Sequence, residues 1–321
     1  MDNIFLGKLI KDFRTQQHLS QSELADGICS KDYIYAIEKG KHEPSLYILE
    51  RLSKRLNVDL FEYLTDISNH FSLETHNRYV ELNSFLFSGK YDELRKYISE
   101  CEKDPSFENG EPFLLLLYSK ATLAFNEENF ILSLEYCKQG IQVMNISMDF
   151  DEQFLSELTN VEILLIKLYA INLHSLGREL EAYKVYTLLY NQFHFVTNRP
   201  AYELNKAIHF QAVIFLIVSY NLAIFNADNR QYDKAEQLIT EALELINKIK
   251  SIDMMIPLLL CYVDVCYNTN KLEKAQEIFD DIPIILKYCG EKNYYEHFLE
   301  DMQEYLPLLS VDKHKGLSGN R

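Results

Sequence analysis

The 321-residue sequence predicts an all-α protein in two parts, a bundle of short helices over residues 1–64 and a longer array of paired amphipathic helices behind it. Three observations carry this. Apolar residues recur every three or four positions in both parts. Helix start and stop signals crowd the first part. Five later segments repeat one helix–turn–helix pattern, with no strand pattern between them.

From Asn3 to His18 the apolar positions Ile4, Phe5, Leu9, Ile10 and Phe13 form one helical stripe, leaving Lys8, Lys11 and Arg14 for other faces. Ser20 followed by Glu23 is a capping box that satisfies free amides at the start of a second helix, whose buried face begins at Leu24 and Ala25. Gly27 ends it cheaply in a left-handed conformation, and Ser30 is placed to cap a third helix from Lys31 to about Lys39. In that third helix Ile34 and Ile37 point inward, while Lys31, Asp32, Tyr35 and Lys39 can point outward. Gly40 stops the helix, Pro44-Ser45 opens a fourth with Leu46, Leu49, Leu52 and Leu56 as its stripe, and Val58, Leu60, Phe61 and Leu64 close the bundle as a fifth.

The run LSQSELADGICSKDYIYAIEKGKHEPSLYILERLSKRLNV (residues 19–58) resembles the Cro/CI-type (XRE) helix-turn-helix, so the bundle is expected to be a five-helix lambda-repressor-like DNA-binding domain. The resemblance gives Gln21 a backbone phosphate and the start of the third helix, capped by Ser30, the base edges, which makes Lys31, Asp32 and Tyr35 the candidate readers. Lysine can donate to guanine O6 or N7 and aspartate can accept from cytosine N4, while Lys39 and Lys41 just beyond the helix suit phosphates. One such domain covers half a site, so a homodimer on a palindromic double-stranded DNA operator is implied.

Residues 65–76 are polar and aperiodic, as a linker would be. The paired segments follow at GKYDELRKYI (89), ENFILSLEYC (128), GRELEAYKVY (177), RQYDKAEQLI (230) and NKLEKAQEIF (270). The clearest unit, Ser219 to Ile246, resembles the tetratricopeptide repeat, with Tyr232 at the turn, Ala235 at the tight crossing and Ala242 farther along the second helix. Spacings of 39 to 53 residues and the absence of tryptophan mark the repeats as divergent. That resemblance implies a right-handed superhelical solenoid of about five degenerate TPR-like helix pairs over residues 77–309, whose first helices line a peptide-binding groove. Aligned on the crossing residue, Tyr79, Asn83, Tyr118, Thr122, Lys167, Ile171, Asn221, Ile224, Asp228, Asp264 and Asn268 fall on the groove face. Asn221 can bridge a peptide backbone with its donor and acceptor. A final helix over 293–309, with Tyr294, Phe298, Met302 and Leu306 on one stripe, is expected to cap the solenoid or pair with a second subunit, and 310–321 to be a flexible tail.

The net charge of −16 divides unevenly, with nine Lys/Arg against eleven Asp/Glu in residues 1–66 and 23 against 37 in the rest. The acidic second part favours a ligand carrying lysine or arginine. No apolar run reaches the roughly 18 residues a bilayer span needs, and the N-terminus lacks the order of a secretion signal, so a cytoplasmic protein without membrane contact is expected. The six cysteines offer no CxxC pair and are read as buried filler. No nucleotide, hydrolase or zincin motif is present, so no enzyme activity, catalytic residue, metal or cofactor is expected.

A Cro/CI-type domain followed by divergent tetratricopeptide-like repeats resembles the RNPP family of peptide-pheromone-responsive regulators, the PlcR-like branch above all. The resemblance implies a quorum-sensing transcriptional regulator whose groove binds a short imported signalling peptide, with the segment 65–76 carrying the effect to the DNA-binding heads. The alternative is a regulator of the same build controlled by a protein partner on its solenoid.

Overall fold

The computed structural model describes residues 3–61, 73–144, 158–204, 208–250 and 254–289, and every regular element among them is a helix. They divide into two compact units, Met1–Met144 and Asn145–Arg321. The expected final helix, the tail, Leu64 and most of the linker lie outside the described residues.

The first unit opens with α1 (Asn3–Gln16), α2 (Gln21–Ala25), α3 (Lys31–Glu38) and α4 (Leu46–Leu56), four of the five expected bundle helices. Phe5, Leu6, Leu9 and Ile10 of α1 close over Leu24, Ile34, Ile37, Leu49, Leu52, Leu56 and Leu60 in one core. Each such side chain, fully buried, contributes about 1.5–3 kcal/mol. Gly7 lets α1 approach α3: a Cβ there would lie 2.0 Å from the Ile37 carbonyl oxygen. Two stripe assignments need correction. Leu46 is 70% exposed and Ile4 68% exposed, because each occupies the open rim of its helix's first turn. Arg14, assigned to an outer face, is buried against Glu38.

Five helix pairs follow, at the five expected places: α5 (Leu73–Phe87) with α6 (Tyr91–Cys101), α7 (Gly110–Asn126) with α8 (Phe130–Val143), and, in the second unit, α9 (Asn160–Ser175) with α10 (Glu179–Phe193), α12 (His209–Asp228) with α13 (Tyr232–Ile249), and α14 (Met255–Asn268) with α15 (Leu272–Cys289). A 3₁₀ turn (His194–Asn198) and the one-turn α11 (Ala201–Leu204) lie between α10 and α12. Helix α5 begins inside the segment expected to be linker, and Thr75 and His76 are buried in it.

Each pair is closed by three residues, the middle one left-handed: Gly89, Glu128, Gly177, Arg230 and Asn270, with φ from 59 to 72°. The third turn residue then donates its N–H five residues back, Lys90 to Phe85, Asn129 to Ala124, Arg178 to Leu173, Gln231 to Asn226 and Lys271 to Cys266, at 2.7–3.2 Å. This satisfies carbonyls the ending helix leaves open. Small residues meet where the helices of a pair cross. Ala170 and Ala182, Ala223 and Ala235, and Ala121 and Ser133 are all buried at equivalent positions, and the Ser133 hydroxyl donates to the Ala121 carbonyl at 2.8 Å.

In the second unit α12 packs on α10, α13 and α14. At 20 residues, with a mean hydropathy of 1.7 over its best window, α12 is long and apolar enough to cross a membrane, contrary to the sequence reading. More than half of that window is buried by its neighbours, among it Ala212, Ile214, Phe215 and Val218, so the helix reads as the core of this unit. Cys101, Cys137, Cys261 and Cys266 are buried, and burial pushes Cys101 and Cys261 up to about 12, as expected of packing residues.

Candidate nucleic-acid and peptide interfaces

The presentation of α3 is set at its first residue. Ser30, extended at φ −81°, accepts the Tyr33 N–H on its hydroxyl at 3.1 Å and starts the helix at Lys31. Ile34 and Ile37 anchor the inner face, and Lys31, Asp32, Tyr35 and Lys39 are left exposed. Tyr33, one residue from the readers, turns to the protein instead: its ring stacks on His42 at 5.8 Å and its hydroxyl donates to the Glu43 carbonyl at 3.3 Å, fixing the chain beyond α3.

That turn brings three predicted residues together. The ammonium groups of Lys39 and Lys41 lie 5.9 and 6.0 Å from the Tyr35 ring centroid, and Tyr35 is 46% exposed. Such contacts contribute about 0.5–1 kcal/mol each at the surface. They leave two cations and an aromatic edge on one open patch, with Lys31 and Asp32 on the first turn of the same helix.

Gln21 is placed less simply than expected. Its Nε2 donates inward to Glu38 Oε2 at 2.7 Å, joining a network in which Arg14 Nε and Nη2 reach Glu38 at 2.5 and 3.1 Å and Arg14 Nη1 reaches the Leu19 carbonyl at 2.7 Å. A phosphate at this point would meet the remaining amide hydrogen and the backbone N–H of Gln21, which as the first residue of α2 has no intrahelical acceptor. The sequence reading missed this Arg14–Glu38–Gln21 network; its signal was a glutamate two residues before the Gly40 stop, inside an otherwise apolar inner face.

On the repeats, solvent exposure identifies the open face directly. Beyond its first turns, α9 is buried except at Lys167, Ile171, His174 and Ser175; α12 opens at Val213, Ile217, Tyr220, Asn221, Ile224, Phe225 and Asp228; α14 opens at Pro257, Leu259, Leu260, Asp264, Tyr267 and Asn268. These are single stripes of three- and four-residue spacing. They contain Lys167, Ile171, Asn221, Ile224, Asp228, Asp264 and Asn268 from the predicted set and add Tyr220 beside Asn221. Asn221 spends its amide donor on the Ile217 carbonyl at 2.7 Å, leaving the acceptor.

Charges on these stripes are few. Burial alone pushes the Lys167 ammonium down to about 8, and it has no ion-pair or hydrogen-bond partner among the described residues. Asp264 is pushed up by burial and then by the charge of Asp228, while Asn268 Nδ2 donates to its Oδ1 at 3.1 Å. In the first unit Tyr79 donates to Glu111 at 3.1 Å, Tyr118 is buried with its hydroxyl pushed up to about 12, and Asn83 and Thr122 are partly exposed. Tyr118 is therefore packed in rather than presented, because α7 is apolar nearly all round.

Residues 10–63 match the family model described as Helix-turn-helix. The ImmF control region 10 kDa protein of Bacillus phage phi105 is 41% identical over 61 residues, which span 19% of this chain and 68% of the phage protein. Over nearly the full length, the fold is similar to Bacillus thuringiensis PlcR, solved with the peptide PapR7 and DNA (TM-score 0.59, 16% identity, 95% of this chain and 99% of PlcR). It is similar also to the SHP pheromone receptor Rgg2 of Streptococcus dysgalactiae (TM-score 0.55, 18% identity, 94% and 99%). At these identities the two structures establish a shared fold, the same helical bundle followed by the same kind of helical array. Through the capped α2–α3 unit, the phage relative and the matched residues 10–63, the chain belongs to the helix-turn-helix family.

Proposed function

We propose that this chain is an RNPP-type transcriptional regulator of the cytoplasm, a homodimer that grips a palindromic operator through α3 and binds a short imported signalling peptide on the open stripes of its repeats. It acts by binding and not by catalysis. The observation that carries the reading is the combination in one chain of an exposed Lys31–Asp32–Tyr35–Lys39–Lys41 surface with solvent-open first-helix stripes. The peptide bound to PlcR and the pheromone that Rgg2 receives support the second half by analogy of fold.

The chemistry divides the roles. Lys31 and Asp32 discriminate bases, Tyr35 makes an apolar contact with a thymine methyl, and Lys39 and Lys41 hold phosphates. Peptide acts on DNA affinity only through a difference in its own affinity for two conformations, so the coupling is reciprocal: operator must change peptide affinity by the same factor. The test is selection of duplexes from a random pool by the full chain, then titration of the selected duplex with and without peptides selected from a random heptapeptide library. Binding of peptide together with a shift in operator affinity supports the reading. A chain that binds duplex but no peptide retains only the DNA-binding half.

A further inference from the structure

Resting on that reading, we infer that the open face of the second unit is polarised, and that it takes a peptide with a carboxylate at Lys167 and a cationic end at Asp228 and Asp264. Ile171, Tyr220, Ile224 and Leu260 supply the apolar floor between. The elements stand in the order α9/α10, α12/α13, α14/α15, each pair packing on the next. Lys167 therefore sits on the first layer, Asp228 at the end of the second layer's first helix, and Asp264 on the third.

Lys167 is the anchor of the argument. It lies in the middle of a helix where Ile163, Ile166, Leu168 and Ala170 around it are buried, and it opens onto the stripe it shares with Ile171. A cation in such a place needs an anion, and none of the described residues provides one. The aspartates are the converse. Burial and then the charge of Asp228 raise the cost of ionising Asp264, and an incoming ammonium would relieve it. The acidic balance of the repeats had favoured a basic ligand; the placement of these three charges asks for one with both signs, at opposite ends.

Lys167 and Asp264 stand on the first and third pairs, and an extended peptide of about six residues or more, at 3.3–3.6 Å each, would reach from one to the other. A free linear peptide of that length carries its own two charges at its two ends. The carboxylate at Lys167 is a C-terminus or an Asp/Glu side chain, and the experiment separates these.

The full-length chain is used to select binders from linear heptapeptide libraries in three forms: both ends free, C-terminally amidated, and N-terminally acetylated. Affinities of the free-ended binders and their derivatives are then measured by calorimetry for wild type, Lys167→Met, Lys167→Arg and Asp264→Asn. Amidation, or neutralising an acidic side chain, is expected to weaken wild-type binding about 10- to 100-fold, the worth of a charge-assisted hydrogen bond. Loss on amidation assigns the C-terminus, and loss on side-chain neutralisation assigns Asp or Glu. The same derivative should cost Lys167→Met almost nothing, and Lys167→Arg should keep the preference. Acetylation should weaken wild type and leave Asp264→Asn unaffected. Equal binding of charged and neutral forms by wild type, or an undiminished penalty in Lys167→Met, overturns the assignment while the peptide reading stands. Selection of no peptide in any form removes the peptide reading itself.

Discussion

Replacing Lys167 by methionine should stabilise the second unit. The ammonium is held at about 8 in the folded chain by burial alone, against about 10.4 in an unfolded one, so folding disfavours its charged form. The sign follows from that order: below the folded value both states are protonated and the full cost is present, and the cost fades as pH rises through 8 towards the unfolded value. At one pKa unit per about 1.36 kcal/mol, the cost near pH 7 is about 3 kcal/mol, falling to about 1.4 kcal/mol near pH 9.5. Methionine keeps the length of the side chain and removes the charge. For a unit of this size about 3 kcal/mol corresponds to a rise in unfolding temperature of roughly 6–12 °C near pH 7, shrinking to less than half near pH 9.5. The assay is thermal unfolding of wild type and variant by circular dichroism across that pH range. A variant that is equally stable or less stable near pH 7, or a gain that does not shrink with pH, would refute the placement of Lys167 as a buried, uncompensated charge.

Three further outcomes follow from the bundle. Gly7→Ala should unfold or grossly distort residues 3–61, since its Cβ would fall 2.0 Å from the Ile37 carbonyl oxygen; proteolysis at the N-terminal bundle and loss of duplex binding report it. Arg14→Met leaves the Glu38 carboxylate buried without its main partner and should cost about 3–5 kcal/mol of bundle stability, read by denaturant titration. Lys39→Ala and Lys41→Ala should weaken binding to selected and random duplexes alike and lower the slope of log affinity on log salt by about 0.9 each, whereas Lys31→Ala should relax preference at one base pair; identical profiles for the three variants would remove the division between phosphate holders and base readers.

Caps and stops were legible in the sequence because they are local chemistry: the Ser20–Glu23 box is present in both directions, Ser30 caps α3, and all five repeat turns fall where the pattern put them. Arg14 was not, since a stripe of apolar residues says which face is buried and nothing about a polar residue at its border that finds a buried partner 24 positions away. The open side of the repeat helices was legible only in part. Helices such as α9, α12 and α14 are apolar on almost every side, so periodicity could not say how wide the open side is, and on α12 both Tyr220 and Asn221 are half-buried on it. For the same reason Tyr118, placed correctly on its helix, turned out to be covered.

The five turns within pairs are identical in length, while the connectors between pairs run from five residues (250–254) to 16 (144–159). All the irregularity of the repeat spacing therefore falls outside the pairs. One residue added to Ser88–Lys90 or its counterparts would swing the second helix by about 100° and turn its buried face to water, whereas residues added to the long connectors leave every crossing intact. The pair is thus the fixed cassette of this architecture, and tags or reporters are accommodated at its seams.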